Sequence, residues 1–478
     1  MKLMEQLVCH HVTRQLRKME PAGTRSRVHS APPPLQVFLF GFSGVRNAGA
    51  DARMEEAVRQ ITHIAGKENL SALSFVLGKK AGGMFTQTGF DYTEGYFQGS
   101  TRITAHQRLD RFIFEQAGKN HISMVVEGAV FKSNLSNMLT MAFAGLMGAA
   151  DRAGNLSFAW GVEAGKMDPP IQRLVRWACQ DSHIIVRNKS SQKVLQELSL
   201  QPVLGTDNAW TFHPKDPSFG EKTLKDAGWD GQTPVISICP INPFWVPSAT
   251  DPVKWLQSFF TDKYSYAHRG GMTFHRTDPE AERKHSRYLG AVADAVTAHL
   301  SRFRAFPVII GTSLIDSRSC RMLSALLNNA PIFGAERYDM FETVSLLRKS
   351  SLIVTSRFHG AVLAMPEGVP FVAVTLDERL ENLLEDIRRP DLSVHCDDLC
   401  LAEKLTASLE SAVRDQEEIR SAAKKHVLSQ LKVLAEMGRT LEREILCKWP
   451  QLPLPQRGSA WQEYLPLTDP VLKQLVHS

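Results

Sequence analysis

The sequence predicts an α/β protein of two domains, each a parallel sheet with helices on both faces. Three observations carry that expectation. Short apolar runs of strand length alternate with helix-length segments from Leu35 to Val394, the pattern of parallel strands joined by crossover helices. A polar stretch rich in Gly, Asp and Lys, Pro214 to Gly231, divides that series in two. Finally, 478 residues are more than one hydrophobic core holds, so the chain must divide.

Taken in order, residues 1–34 read as an amphipathic or disordered leader that ends at Pro32-Pro33-Pro34. The first domain, 35–213, offers strands at 37–42, 72–77, 122–126, 156–160 and 184–186. Helices are expected between them at 51–64, 108–116, 137–150 and 169–179, with another at 190–198. Residues 214–231 are the expected linker. The second domain, 232–400, opens on the strand 235–238, is interrupted by a polar excursion at 262–282, and continues through the helix 287–303 and the strand 307–311. Helices at 318–327 and 340–350 precede two buried strands, 352–354 and 371–374. Residues 401–478 form a C-terminal extension. Its first part, 401–447, is charged and helically periodic, and the stretch from Trp449 is rich in Pro and Leu and takes no assignment.

Composition bounds the function class. At 43% hydrophobic and 22% charged residues the chain is an ordinary globular protein. A net charge of +6 suits an enzyme of anionic substrates or peripheral contact with an acidic membrane surface, and selects neither. The charge is partly local, with Lys2, Arg14, Arg17, Lys18, Arg25 and Arg27 set against Glu5 and Glu20 in the leader. Seven scattered cysteines, an odd number, imply free thiols in a reducing compartment. The opening residues lack the apolar core of a signal peptide, and the longest apolar stretch, 138–150, is too short to span a bilayer. The expected location is cytoplasmic, with peripheral contact at the inner face of the membrane. His395, Cys396 and Cys400 are too close together and lack a second ligand pair for zinc. With no Walker-type loop and no nucleic-acid module either, neither metal, cofactor nor nucleic acid is expected.

The densest chemistry follows the strand Leu352-Ile353-Val354. There Ser356-Arg357-Phe358-His359-Gly360 makes the turn beyond its C-terminal end, where parallel sheets hold ligands and helix N-termini face anions. Four other loops sit at comparable places. Gly41 to Asp51 is glycine-rich, and Asn47 or Asp51 can cap the next helix. Glu127 to Ser133 and Trp160 to Gly165 close two strands, the latter carrying Glu163. Arg187 stands at a strand end before Ser190, with Asp207 further on. Lys132 can meet a phosphate and is equally a surface residue; His268, Arg269, His275 and Arg276 in the excursion can contact an anionic donor or acceptor diphosphate, but a surface loop is the plainer reading.

Ser356-Arg357-Phe358-His359-Gly360-Ala361 with Gly368-Val369-Pro370 resembles the Arg-x-His motif of the polysaccharide pyruvyltransferase family. Arg187, Ser190 and the Asp207-Asn208-Ala209 run resemble that family's strand-end arginine, helix-starting serine and Asp-x-Ala. Asn47-Ala48-Gly49-Ala50-Asp51 resembles its Asn-x-Gly-Asp turn with one residue more, while Glu127 and Ala129 depart from its glycine triplet. The resemblance implies two Rossmann-like domains facing a cleft, as in the GT-B glycosyltransferases. It implies transfer of pyruvate from phosphoenolpyruvate to a sugar as a ketal, on a cell-surface polysaccharide or its lipid-linked precursor. Arg187, Arg357, Ser356 and Gly360 would bind the donor, and Arg357 and His359 would act in catalysis, His359 as acid or as phosphate ligand. Asn47, Asp51, Arg46 and Glu163 would hold the acceptor. Two rival readings are a nucleotide-sugar glycosyltransferase with Asp377 or Glu378 on the ribose, and a binding-only relative marked by Glu127 and Ala129.

Overall fold

The computed structural model describes residues 3–19, 34–44, 46–77, 113–245, 249–258, 260–261, 268–270 and 273–477. Two six-stranded parallel sheets organise them. The first comprises β1 (Leu35–Ser43), β2 (Leu70–Leu77), β3 (Ile122–Val125), β4 (Leu156–Val162), β5 (His183–Val186) and β6 (Val203–Leu204), in the spatial order β2-β1-β3-β4-β5-β6. Its helices are α1 (Leu3–Lys18), α2 (Ala48–Ala65), α3 (within 113–119), α4 (Ser133–Arg152), α5 (Pro169–Ala178) and α6 (Lys189–Glu197). Residues 108–112 of the helix expected at 108–116 lie outside the described residues.

Helices on both faces are why these strands read as continuous apolar runs. Along β1, Val37 and Leu39 enter one core while Phe38 and Phe40 enter the other, as the period-two pleat requires. Helix α4 lies against β3 and β4 and is covered by α1 and α5. That enclosure accounts for the apolar run at 138–150. Among the described residues no helix is long and apolar enough to cross a membrane. The opening segment is helical over Leu3–Lys18, with Val8, Val12 and Leu16, spaced by four, buried in the core that α4 shares.

The polar stretch 214–231 holds a helix, α7 (Pro217–Asp226), whose start the composition concealed. Asp216 caps it by accepting from Ser218 N at 2.7 Å, and Pro217 takes the first turn, where its missing N–H costs nothing.

The second sheet begins with β7 (Val235–Cys239). The excursion then forms a small antiparallel sheet of β8 (Ala249–Thr250), β9 (His268–Gly270) and β10 (Thr273–Phe274), with α8 (Pro252–Gln257) beside it. After α9 (Pro279–Arg302) come β11 (Phe306–Gly311), α10 (Ser317–Leu326), β12 (Ile332–Gly334) and α11 (Met340–Leu347). The sheet is completed by β13 (Leu352–Thr355), α12 (Phe358–Val362), β14 (Phe371–Thr375), α13 (Glu378–Asp386) and β15 (Ser393–His395). Its order is β12-β11-β7-β13-β14-β15.

Strand order reverses at β1/β3 in one sheet and at β7/β13 in the other, and such switch points open a crevice beyond the strand ends. The two crevices face each other. Ala48 N donates to Thr312 O at 2.8 Å and Leu314 N to Arg46 O at 3.2 Å, so the turn before α2 is stitched to the loop after β11. Two C-terminal helices, α14 (Leu401–Arg414) and α15 (Gln416–Lys448), follow. Helix α15 returns to the first domain, where Gln430 accepts from Thr206 Oγ1 at 2.5 Å and Met437 packs on Gly205. The tail ends in α16 (Pro470–His477), which is tied down just before its start by the Arg348–Asp469 pair at 2.5 Å.

Candidate active site

Arg357 and His359 are presented by a turn that its own strand locks. Thr355 Oγ1 accepts from Arg357 N at 2.9 Å and donates to Arg357 O at 2.8 Å. A methyl at Gly360 would lie 2.7 Å from that hydroxyl, so only glycine fits there. Arg357 then forks onto the buried carboxylate of Asp316, with Nε to Oδ2 at 3.1 Å and Nη2 to Oδ1 closing the second bond. Asp316 stands at the start of α10, beyond the end of β11. Burial pushes its carboxyl above the ordinary range, and the guanidinium opposes that push. Ser356 turns inward, its hydroxyl 2.8 Å from Tyr288 OH in the second domain's core.

His359 crosses to the first domain. Its imidazole fills a notch at Gly49, where a methyl would collide with the ring. Nε2 lies 3.4 Å from Asp207 Oδ2, within ion-pair reach but without the alignment of a hydrogen bond, and it is buried with no other partner. Burial holds the imidazole below its usual pKa. Asp207 pulls it back up, and Arg187 and Arg53 press it down. The ring is aimed at a carboxylate.

Asp207 belongs to a buried charge cluster. Arg187, at the end of β5, bonds Glu163 Oε1 through Nε at 2.9 Å and Nη2 at 2.7 Å, and Asp207 through Nη1. Its guanidinium carbon sits 4.9 Å above the Phe358 ring, so the cluster touches the second domain's turn. Lys132 Nζ reaches Glu163 Oε2 at 2.9 Å and comes within 3.7 Å of Glu378. Arg53, in the middle of α2, donates to Trp160 O at 3.0 Å, Gly161 O at 2.7 Å and Asn208 Oδ1 at 2.9 Å, and its Nε is 3.5 Å from Asp207. Gly161 meets it with φ of +63°, a conformation that favours glycine. Burial alone would raise both carboxyls. Arg187, Arg379 and Lys132 nevertheless hold Glu163 below the usual range, as Arg53, His359 and Arg187 hold Asp207. A cavity of about 70 Å³ opens on the cluster, lined by Glu163, Arg187, Phe358 and Arg379 and, from α15, by His426 and Gln430.

The turn expected on the acceptor side lies across the Gly49 notch from this cluster. Asn47 caps α2 through Ala50 N at 3.2 Å. Asp51 accepts from Gly44 N at 2.6 Å, and burial pushes its carboxyl up to about 7. Arg46, in the left-handed region at φ +53°, donates to Ala335 O at 3.0 Å and Glu336 O at 3.1 Å. It clamps the two domains together.

Thus the fold brings His359, Arg187 and Glu163 into one cluster, sets Arg357 on the same turn as His359, and leaves Asn47, Asp51 and Arg46 on a neighbouring turn. Ser190 is exposed at the start of α6 and donates to Asn188 Oδ1 at 2.9 Å; Asn188, not Ser190, caps that helix. Asp377 caps α13 and is forked by Arg379 at 2.7 and 2.9 Å, so it has little capacity left for a ribose. His275 stacks on Trp245 at 4.5 Å and Arg276 pairs with Asp278. The side chains of His268 and Arg269 lie outside the described residues. Sequence reasoning missed Arg53 and Asp316. An arginine inside an amphipathic helix reads as a solvent residue, whereas Asp316 follows a strand end and was findable by the same rule that picked Arg187.

The family model "Polysaccharide pyruvyl transferase" matches residues 103–378, 276 of the 478. No curated protein matches the chain in sequence. Among solved structures, a protein assigned as UDP-N-acetylglucosamine 2-epimerase from Listeria monocytogenes is 12% identical, with 85% of this chain and 97% of that one covered at a TM-score of 0.52. Another UDP-N-acetylglucosamine 2-epimerase is 9% identical, with 90% and 100% covered at 0.53. The sucrose-phosphate synthase of Thermosynechococcus elongatus is 10% identical, with 86% and 99% covered at 0.50. At such identities the likeness is one of fold, two parallel-sheet α/β domains of GT-B type. A family match over more than half of its length, on that architecture, makes the chain a member of the polysaccharide pyruvyl transferase family.

Proposed function

We propose that the cleft transfers the pyruvyl group of phosphoenolpyruvate to two hydroxyls of a saccharide, as a 1-carboxyethylidene ketal, in building a cell-surface polysaccharide or its lipid-linked precursor. The supporting observation is the His359 ring, whose buried Nε2 faces Asp207 and Arg187 across the domain interface. The donor carries a carboxylate and a phosphate, and a planar guanidinium matches either one. Arg187 and Arg357 come from opposite domains, each with its plane already fixed by carboxylates. Donor binding then exchanges or shares those carboxylates rather than ordering free side chains.

In the reaction, C3 of the donor takes a proton and a sugar oxygen bonds to C2, the hydroxyl proton passing to a base. The C2–O bond to phosphate then breaks, the second hydroxyl adds to C2 and loses its proton, and inorganic phosphate leaves. His359 is the acid at C3 in this reading. The donor's negative charge raises the imidazole pKa, and Asp207 stabilises the imidazolium. Glu163, held ionised by Arg187 and Lys132, is too weak a base for a hydroxyl and serves to position. Asp51, pushed up to about 7, has the better-matched basicity.

Thermal unfolding with phosphoenolpyruvate tests the reading. A ligand that binds only the folded form stabilises it by about 2.7 kcal/mol at a hundredfold excess over Kd. The wild type should gain stability and Arg357→Ala should not. No shift at millimolar donor, or a shift with a uridine nucleotide instead, would overturn it.

A further inference from the structure

We propose that the groove between α1 and α5 seats the headgroups of an anionic lipid bilayer. The groove encloses about 770 Å³ on the first domain, over a floor that includes Pro170, Leu174 and Trp177. Its charged lining is basic: Arg14 and Arg17 from α1 and Arg173 from α5, all exposed. No carboxylate lines it, and among the described residues none of the three arginines enters an ion pair. The nearest acidic groups on these elements, Glu5 and Asp168, are turned to Asn137, which donates to them at 3.3 and 2.9 Å. Three unpaired guanidiniums converging on one groove fit phosphate diesters arrayed at a surface.

The mode of binding follows from how α1 is held. Its apolar stripe, Val8, Val12 and Leu16, is consumed by packing in the α4 core. The helix therefore cannot roll over and bury that stripe in lipid as a free amphipathic helix does. What it offers the bilayer is its basic face, with Leu7, 58% exposed, one heptad before Arg14. Binding is then electrostatic, requires acidic lipid and weakens with salt. The α1 half of the groove lies outside the family-matched residues. It would hold the first domain, expected to bind the acceptor, at a membrane surface.

The test is co-sedimentation of the full chain with phosphatidylcholine vesicles, with and without phosphatidylglycerol, at low and high salt. The wild type should pellet only with the acidic vesicles, and release at high salt. Each basic residue near such a surface contributes about fivefold, so Arg14→Glu with Arg17→Glu should weaken partitioning at least about 25-fold, and Arg173→Glu several-fold. Arg304→Glu, a highly exposed arginine of the second domain, should leave binding unchanged. All these substitutions are on the surface, and an unchanged melting temperature verifies the fold. Equal binding to neutral vesicles, no wild-type binding, or groove variants that bind as well as wild type would each overturn the proposal. So would a thermal shift with inorganic phosphate that the double variant loses in the absence of vesicle binding, because the groove would then serve a soluble anion. Donor binding is read separately through Arg357→Ala, so the two proposals fail independently.

Discussion

Asp207→Asn tests the charge cluster at its centre. One oxygen of Asp207 takes Arg187 Nη1 and faces His359 Nε2 at 3.4 Å; the other accepts from Ala209 N at 2.9 Å and lies 3.5 Å from Arg53 Nε. Asparagine preserves the shape and can keep the Ala209 bond. It places an N–H donor against the Arg187 donor and leaves Glu163 and the more distant Glu127 to balance Arg53 and Arg187. Removing one partner of a buried pair costs about 3–5 kcal/mol, and the retained bond puts this change near the lower end. For a domain of this size that is a fall in melting temperature of about 6–12 °C. His359 loses the neighbour that raises its pKa, so its pKa falls further. If it donates the proton at C3, the rate should drop by about 10²–10⁴ and activity should disappear at lower pH than in the wild type. Calorimetry and a pH–rate profile of phosphate release read both effects. A variant with wild-type melting and an unshifted profile would refute the coupling of Asp207 to both arginine and histidine.

Other predictions follow from single contacts. Gly49→Ala drives a methyl into the His359 ring; an overpacked site typically loses about 1–3 kcal/mol, and phosphate release should collapse while the far-UV spectrum is retained. Arg357→Lys keeps the charge but loses the fork to Asp316, so it should raise KM for the donor with a smaller effect on melting. Asp51 sits higher in the folded chain than in the unfolded one, so between about pH 4 and 7 the folded state binds more protons and stability falls as pH rises. Asp51→Asn should remove about 2 kcal/mol of that decline, after allowance for partial exposure, as read by urea unfolding at several pH values. Arg348→Ala should cost about 3–5 kcal/mol by stranding buried Asp469, and adding Asp469→Ala should recover part of it in a double-mutant cycle.

Much of this architecture could be read from residue patterns. The strands that line the cleft are apolar on both faces, and that is legible without coordinates. Helix α7 was hidden because Gly220, which lets the helix come close to Ser345, and its lysines resemble linker composition; Asp216-Pro217 carried the start signal all the same. At the site, the turn bearing Arg357 and His359 was visible because strand-end residues face the crevice. The pairing of Arg187 with Glu163 and Asp207 was not visible. It depends on β4, β5 and β6 lying side by side, a neighbourhood that local sequence does not encode. Arg46 drew attention as a cation at the acceptor turn, yet it bonds carbonyls of the facing domain, which only the docking of the two sheets reveals. Arg53 is the clearest case. Its burial comes from Asn208 and the Gly161 carbonyl, both more than a hundred residues away.

Isothermal titration with phosphoenolpyruvate, on the wild type and on Arg187→Ala and Arg357→Ala, tests the central claim most directly, because each arginine comes from a different domain. Saturable binding by the wild type, lost in both variants while each remains folded, is the predicted result. No binding by the wild type, or binding that survives the loss of either arginine, would contradict a donor site shared across the cleft.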